Sequence, residues 1–348
     1  MYTVKEYLKY YKDVSFDNCN FNEVDNILFS SLSYFDWTDI VGDSKVNLIT
    51  AIDIYLDNKR TLSSPFMKDN LENLKIMKDS LRYKDCYLGN FKRIIDDRQQ
   101  FGAICIYFDN KVYVSYEGTD GSVIGWKEDF NLAYKFPVDT QVTAIDYINS
   151  VITRKDKVIY VGGHSKGGNL AMTASMYCDN SIKNRIKYVF NNDGPGFMRK
   201  QFLSREFKEM MPKLRMFIPT ESLVGLLLFG SNDYKVVEST ARGINQHNFN
   251  TWKCFGSFFL EGKLSRISDK LIKRIEAWYQ VYDDEDIEII ITSLFKVLED
   301  NKIKNFNDLK KMNWKDVMSI INHMSNIDSS TKKLYLEALK DFIWFNKE

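Results

Sequence analysis

The chain is short of the residues that mark several common classes of protein. Its five cysteines, Cys19, Cys86, Cys105, Cys178 and Cys254, are odd in number, widely spaced and free of Cys-x-x-Cys pairs. That pattern speaks against a disulfide framework and a zinc site, and no metal or other cofactor is expected. Long apolar runs are missing too. The longest, Leu223 to Phe229, is far too short to span a bilayer, so no transmembrane segment is expected, although peripheral membrane contact stays open. From Met1 to Asp13 charges recur every few residues with no apolar signal-peptide core, which makes a cytoplasmic location the expectation. An excess of one charge is absent: 48 Lys and Arg face 47 Asp and Glu, for a formal charge of +1. No basic block is present to bind nucleic acid. Histidine is scarce, at three residues, and residues 263–348 contain neither proline nor glycine.

What is present fits a soluble globular chain. At 348 residues with 44% hydrophobic and 27% charged residues, it can bury a sizeable core and is long enough for one large α/β domain or for a domain plus an appendage. Glu23 to Leu32 has helical spacing, and Ala103 to Phe108 and Val112 to Tyr116 flank the turn residues Asp109-Asn110-Lys111 as a hairpin. A helix carrying Val142, Ile145, Ile148 and Ile152 then leads to a strand at Val158 to Val161. Further strands are predicted at Tyr188 to Phe190, Leu214 to Ile218 and Tyr234 to Val237. Strands alternating with helices imply a mostly parallel sheet flanked by helices. Residues 1–262 are therefore read as one α/β domain, and residues 263–348 as an all-helical C-terminal cap packed on it.

The most specific motif is Gly163-His164-Ser165-Lys166-Gly167, which directly follows the Val158 to Val161 strand. From Gly168 the residues Leu170, Ala171, Ala174 and Met176 give a helix with one apolar face. Ser165 thus occupies a strand-to-helix turn, a nucleophile elbow in which a Cβ at Gly163 or Gly167 would collide with neighbouring backbone. A serine hydroxyl needs a base to become a nucleophile at neutral pH, so the histidines decide the chemistry. His164 leaves the turn in another direction and is expected to pack beneath the elbow. His323 lies on a predicted helix of the tail. His247 falls in a loop-like stretch after the last strand, where the chain order Ser, acid, His needs the base.

Two carboxylates stand at strand ends between Ser165 and His247: Asp193, before Gly194-Pro195-Gly196, and Glu221, one strand later. The later strand is the usual place for the acid. Asp193 has the shorter side chain and the stiffer turn, which suits holding an imidazole in one tautomer, and it is preferred. The N–H of Lys166 and that of Thr119, in the loop after Tyr116, are the candidate oxyanion donors, with the Thr119 hydroxyl as a further one. Leu223 to Phe229 could line an acyl pocket or form a plain buried helix. Trp126 is given no role.

These motifs carry a resemblance. Val114 to Asp120, Gly125 to Phe130 and Gly163 to Ala171 resemble class 3 lipases, which pair a Phe-Arg-Gly-Thr loop with Gly-His-Ser-Leu-Gly-Gly. Asn192 to Phe197, Ser222 to Leu227 and Gln246 to Trp252 look like the Mbeg-like, lipase-related family of low-GC bacteria. The resemblance implies an α/β-hydrolase fold and a Ser-Asp-His triad acting on carboxylic esters or acyl-lipids. Acyl transfer with the same groups, or a silent binding protein on the same fold, are the alternatives. Two departures stand out: Glu117 replaces the lipase arginine, and Ser222 occupies the position of the usual acid.

Overall fold

Runs of β-branched and aromatic residues become strands buried on both faces wherever helices cover a sheet on both sides. In the computed structural model, which describes residues 2–42, 44–58, 64–119, 128–283, 285–289 and 292, such runs build an eight-stranded sheet. Its strands lie in chain order: β1 (Val46–Asn47), β2 (Tyr87–Ile95), β3 (Gln100–Phe108), β4 (Lys111–Tyr116), β5 (Ile159–His164), β6 (Ile186–Asn192), β7 (Leu214–Pro219) and β8 (Tyr234–Val237). Pairing is antiparallel from β1 to β4 and parallel from β4 to β8. A separate hairpin joins β9 (Cys254–Phe255) to β10 (Phe258–Phe259).

Parallel neighbours need crossovers, and helices supply those from β4 to β7, whereas the one from β7 to β8 holds only a 3₁₀ turn. Before the sheet's parallel half come α1 (Val4–Tyr11), α2 (Glu23–Leu32), α3 (Leu48–Asp57) and α4 (Pro65–Lys78). Within it come α5 (Asp139–Val151), α6 (Lys166–Tyr177), α7 (Asn180–Lys183), α8 (Arg199–Phe202) and α9 (Arg205–Met210). The two-residue period of β4 assigns their faces. Tyr113 donates to Asn26 Oδ1 (2.7 Å) and Ser115 to the Ser30 carbonyl (3.3 Å), both on α2, whereas Tyr116 donates to the Ala144 carbonyl of α5 (2.8 Å). Helix α2 is buried from Val24 to Leu32, so its polar residues need partners inside the protein. Asn26 donates to Asn192 at the end of β6 (2.7 Å), and the Asp25 carboxylate is held by Arg82, Tyr7 and Tyr83.

This is an α/β-hydrolase fold. It divides into two compact units, one of residues 1–118 and 139–275, the other of 119–138 and 276–348. Leu223 to Phe229 is not a regular helix. It makes a single 3₁₀ turn at Val224–Leu226, then an extended Phe229 that exchanges two backbone hydrogen bonds with Phe197 (2.8 Å each). Strand β2 escapes a sequence reading because Asn90, at φ +54°, interrupts it with a register shift between Gly89 and Lys92 and so breaks the alternation. Of the predicted helical tail, α10 (Arg266–Val281) and residues 285–289 are helical. Residues 293–348, His323 among them, and Trp126 lie outside the described residues.

Candidate active site

Ser165 joins β5 to α6 with φ +58° and ψ −134°, a conformation that costs a non-glycine residue about 1–3 kcal/mol. Glycines on either side let the start of α6 and the end of β4 come close to the turn. A Cβ on Gly163 would meet the Gly167 backbone and come within 2.7 Å of the Tyr116 carbonyl oxygen, and one on Gly167 would strike that same carbonyl. The turn is tied down by Ser165 N–H donating to the Asn192 carbonyl (3.0 Å) and Gly168 N–H to the Ser165 carbonyl (2.9 Å). Ser165 is half-buried between buried neighbours. Among the described residues its hydroxyl has no hydrogen-bond partner, and no bond joins it to His247.

His247 ends a 3₁₀ turn, Gly243–His247, and its Nδ1 lies 2.6 Å from Asp193 Oδ2. An ionised carboxylate only accepts, so the neutral ring carries its proton on Nδ1 and keeps a lone pair on Nε2. Asp193 follows β6 at φ +53°, with its N–H on the Phe217 carbonyl (2.8 Å) and its side chain buried. Its other oxygen, Oδ1, accepts from Ser222 Oγ (2.5 Å) and the Gly225 N–H (3.1 Å). A Cβ on Gly225 would be driven into that carboxylate and sit 2.7 Å from Ile218 Cγ2, so glycine is what lets this N–H reach it. Glu221 is not brought to His247. Its Oε2 accepts from the Gly243 N–H (2.5 Å) and Gln246 Nε2 (2.8 Å), bracing the turn that carries the histidine.

His164 is buried, and its contacts go beyond packing. Its Nε2 donates to the backbone carbonyl of His247 (2.8 Å), which leaves Nδ1 to accept from the Tyr34 hydroxyl (2.9 Å). Burial, reinforced by the neighbouring His247, holds its pKa well below the usual histidine value, against the partial opposition of the bond to that carbonyl. The rings of His164 and His247 lie 4.5 Å apart, and Phe66 stacks on His164 at 5.6 Å. A neutral imidazole therefore clamps the backbone of the other histidine. Neither this clamp nor the part of Tyr34 was legible in the sequence, and the only hint of Ser222 was its place at the usual acid position.

The loop after β4 rests on the elbow. A Cβ on Gly118 would strike the Tyr34 hydroxyl and lie 2.5 Å from the His164 carbonyl oxygen. Glu117 is buried and pairs with Arg93 (3.3 Å), so an ion pair anchors this loop with the carboxylate on the loop side. Thr119, which opens the second unit, donates its hydroxyl to Asp129 Oδ2 (2.6 Å). Lys166 heads α6 with its side chain buried. Among the described residues no group of three or more His, Cys, Asp or Glu is placed to hold a metal ion, and no helix is long and apolar enough to cross a membrane.

A family model described as Mbeg1-like matches residues 77–296, a span that includes Ser165, Asp193, Glu221 and His247. Comparison with curated proteins finds no match. Among solved structures, the chain is similar to the crystal structure of M37 lipase, at 13% identity over 65% of this chain and 70% of that one. The TM-score of that superposition is 0.31.

Proposed function

The chain belongs to the Mbeg1-like family, and from the geometry at its elbow we propose that it is a serine hydrolase acting on carboxylic esters or acyl-lipids. The observation that carries this reading is the 2.6 Å bond from His247 Nδ1 to the buried Asp193, on a histidine whose backbone is clamped by the residue preceding Ser165. In the proposed reaction Ser165 Oγ attacks the ester carbonyl while His247 Nε2 takes its proton. Asp193 stabilises the imidazolium and keeps the ring in the tautomer that the step requires. Negative charge on the tetrahedral oxygen is met by the N–H groups of Lys166 and Thr119. His247 then returns the proton to the departing alcohol, and a water repeats the sequence on the acyl-enzyme. The preference for esters and lipids comes from the resemblance to lipases, because the polar groups alone would serve any acyl transfer.

A fluorophosphonate probe tests the reading. The wild-type chain is expected to be labelled and to turn over p-nitrophenyl esters. Ser165→Ala, which deletes one hydroxyl with little effect on stability, is expected to lose both activities. Labelling of Ser165→Ala at the wild-type rate would move the nucleophile elsewhere and sink the proposal.

A further inference from the structure

Lys166 fills the second x of the Gly-x-Ser-x-Gly motif, and its side chain is long, charged and only 1% exposed. An ammonium in such a place has to be surrounded by acceptors. Two of them come from one residue: Lys166 Nζ donates to the Gln100 backbone carbonyl (2.8 Å) and to Gln100 Oε1 (3.0 Å). Gln100 opens β3 and is itself fully buried.

The contact fixes which way round the Gln100 amide sits. An ammonium donates and never accepts, so Oε1 must face Lys166, and Nε2 must face the other way. Nε2 donates to the carbonyl oxygen of Gly118 at 3.3 Å. A trans peptide is planar with its C=O and N–H pointing in opposite directions. A donor on the Gly118 carbonyl therefore aims the following N–H, that of Thr119, away from Gln100. The ammonium charge beside Oε1 also polarises the amide and strengthens its donor end.

We propose that Gln100, oriented by the buried Lys166 ammonium, is a positioning residue for oxyanion stabilisation: it fixes the direction of the peptide whose N–H is one of the two donors. The second donor is the backbone N–H of Lys166 itself, so one residue supplies a donor directly and braces the other through Gln100. The inference rests on the hydrolase reading and gives the Gln100 side chain and the Lys166 ammonium an indirect part, acting through the peptide that carries the donor.

Gln100→Glu separates this role from plain structural support. The carboxylate keeps the size of glutamine and still pairs with Lys166, but it has no hydrogen to offer the Gly118 carbonyl and sets an acceptor against it. The variant is expected to melt within about 3 °C of wild type. Its kcat on a p-nitrophenyl ester should fall about 10²-fold, the scale of losing one well-placed donor, with little change in KM. Affinity for a phenylboronic acid, which mimics the tetrahedral state, should fall in parallel with kcat. Gln100→Met, which cannot donate either, gives a second measurement should the glutamate variant fold poorly, with the same split between kcat and KM expected of its folded fraction.

A folded variant of either kind with wild-type kcat and boronate affinity overturns the proposal. So does a loss confined to melting temperature. A wild-type chain that fluorophosphonate does not label removes the hydrolase reading and this inference together, whereas normal labelling with an unimpaired Gln100→Glu removes only the inference.

Discussion

Asp193 and Glu221 both end strands and both lie between the nucleophile and the base in chain order, yet they meet different partners. Asp193, on a left-handed backbone, reaches His247 with Oδ2 while Ser222 and the Gly225 N–H hold Oδ1. Glu221 spends its carboxylate on Gly243 and Gln246. Asp193→Asn presents the imidazole with an amide that favours the wrong tautomer and cannot balance its charge. A loss in kcat on the order of 10⁴ is expected, as in other triads. Glu221→Gln retains an oxygen for the Gly243 N–H, and its kcat should stay within about tenfold of wild type. Steady-state kinetics on a p-nitrophenyl ester rank the two, and the opposite order would move the acid to Glu221. The sequence left both residues open because strand-end position and side-chain length are local properties. Which carboxylate reaches the histidine depends on Ser222 and Gly225, which arrive from the next strand's loop.

Elements with an unbroken period were the legible ones. Helix α2 runs from Glu23 to Leu32 as its spacing indicated, and α6 begins directly after Ser165. Strand β2 was not read, because the residue at positive φ inside it shifts the alternation by a step. Helix α10 starts from a cap: Ser265 Oγ accepts the Ser268 N–H (3.1 Å), and the Ser265 N–H donates to the Thr220 carbonyl (2.8 Å), beside Glu221. Ser268 is fully buried. We propose that residues 263–348 act as an integral cap and not as a separable module. A chain ending at Leu264 loses the bond to Thr220 and the helix that follows. It is expected to be insoluble or inactive, as size-exclusion chromatography and an ester assay would read. A soluble, monomeric and fully active product would make the tail independent.

Across the whole molecule, the parallel half of the sheet gathers the site by bringing the ends of β5 and β6, and the loop after β7, to one edge. A charge introduced there is felt as lost stability. His164 has a folded pKa well below its unfolded value of about 6.5, so in the interval between them only the unfolded chain binds the proton. Stability is therefore full above about pH 6.5 and declines as pH falls from there toward the folded pKa. In His164→Gln the decline below pH 6.5 should be shallower than in wild type, although the variant starts from lower stability. Urea unfolding at intervals from pH 8 to pH 5 measures both slopes, and parallel curves would refute the assignment. The sequence by itself determined that Ser165 stands at a strand-to-helix turn within an α/β sheet, because β-branched runs, helical spacing and glycine sterics act between near neighbours in the chain. Only the tertiary structure decided that Asp193 meets His247, 54 positions away, that His164 clamps a carbonyl 83 positions away, and that Lys166 seizes Gln100 across 66. Hydrogen bonds select partners by direction and distance in space, and no local pattern encodes which distant backbone will be folded within about 3 Å.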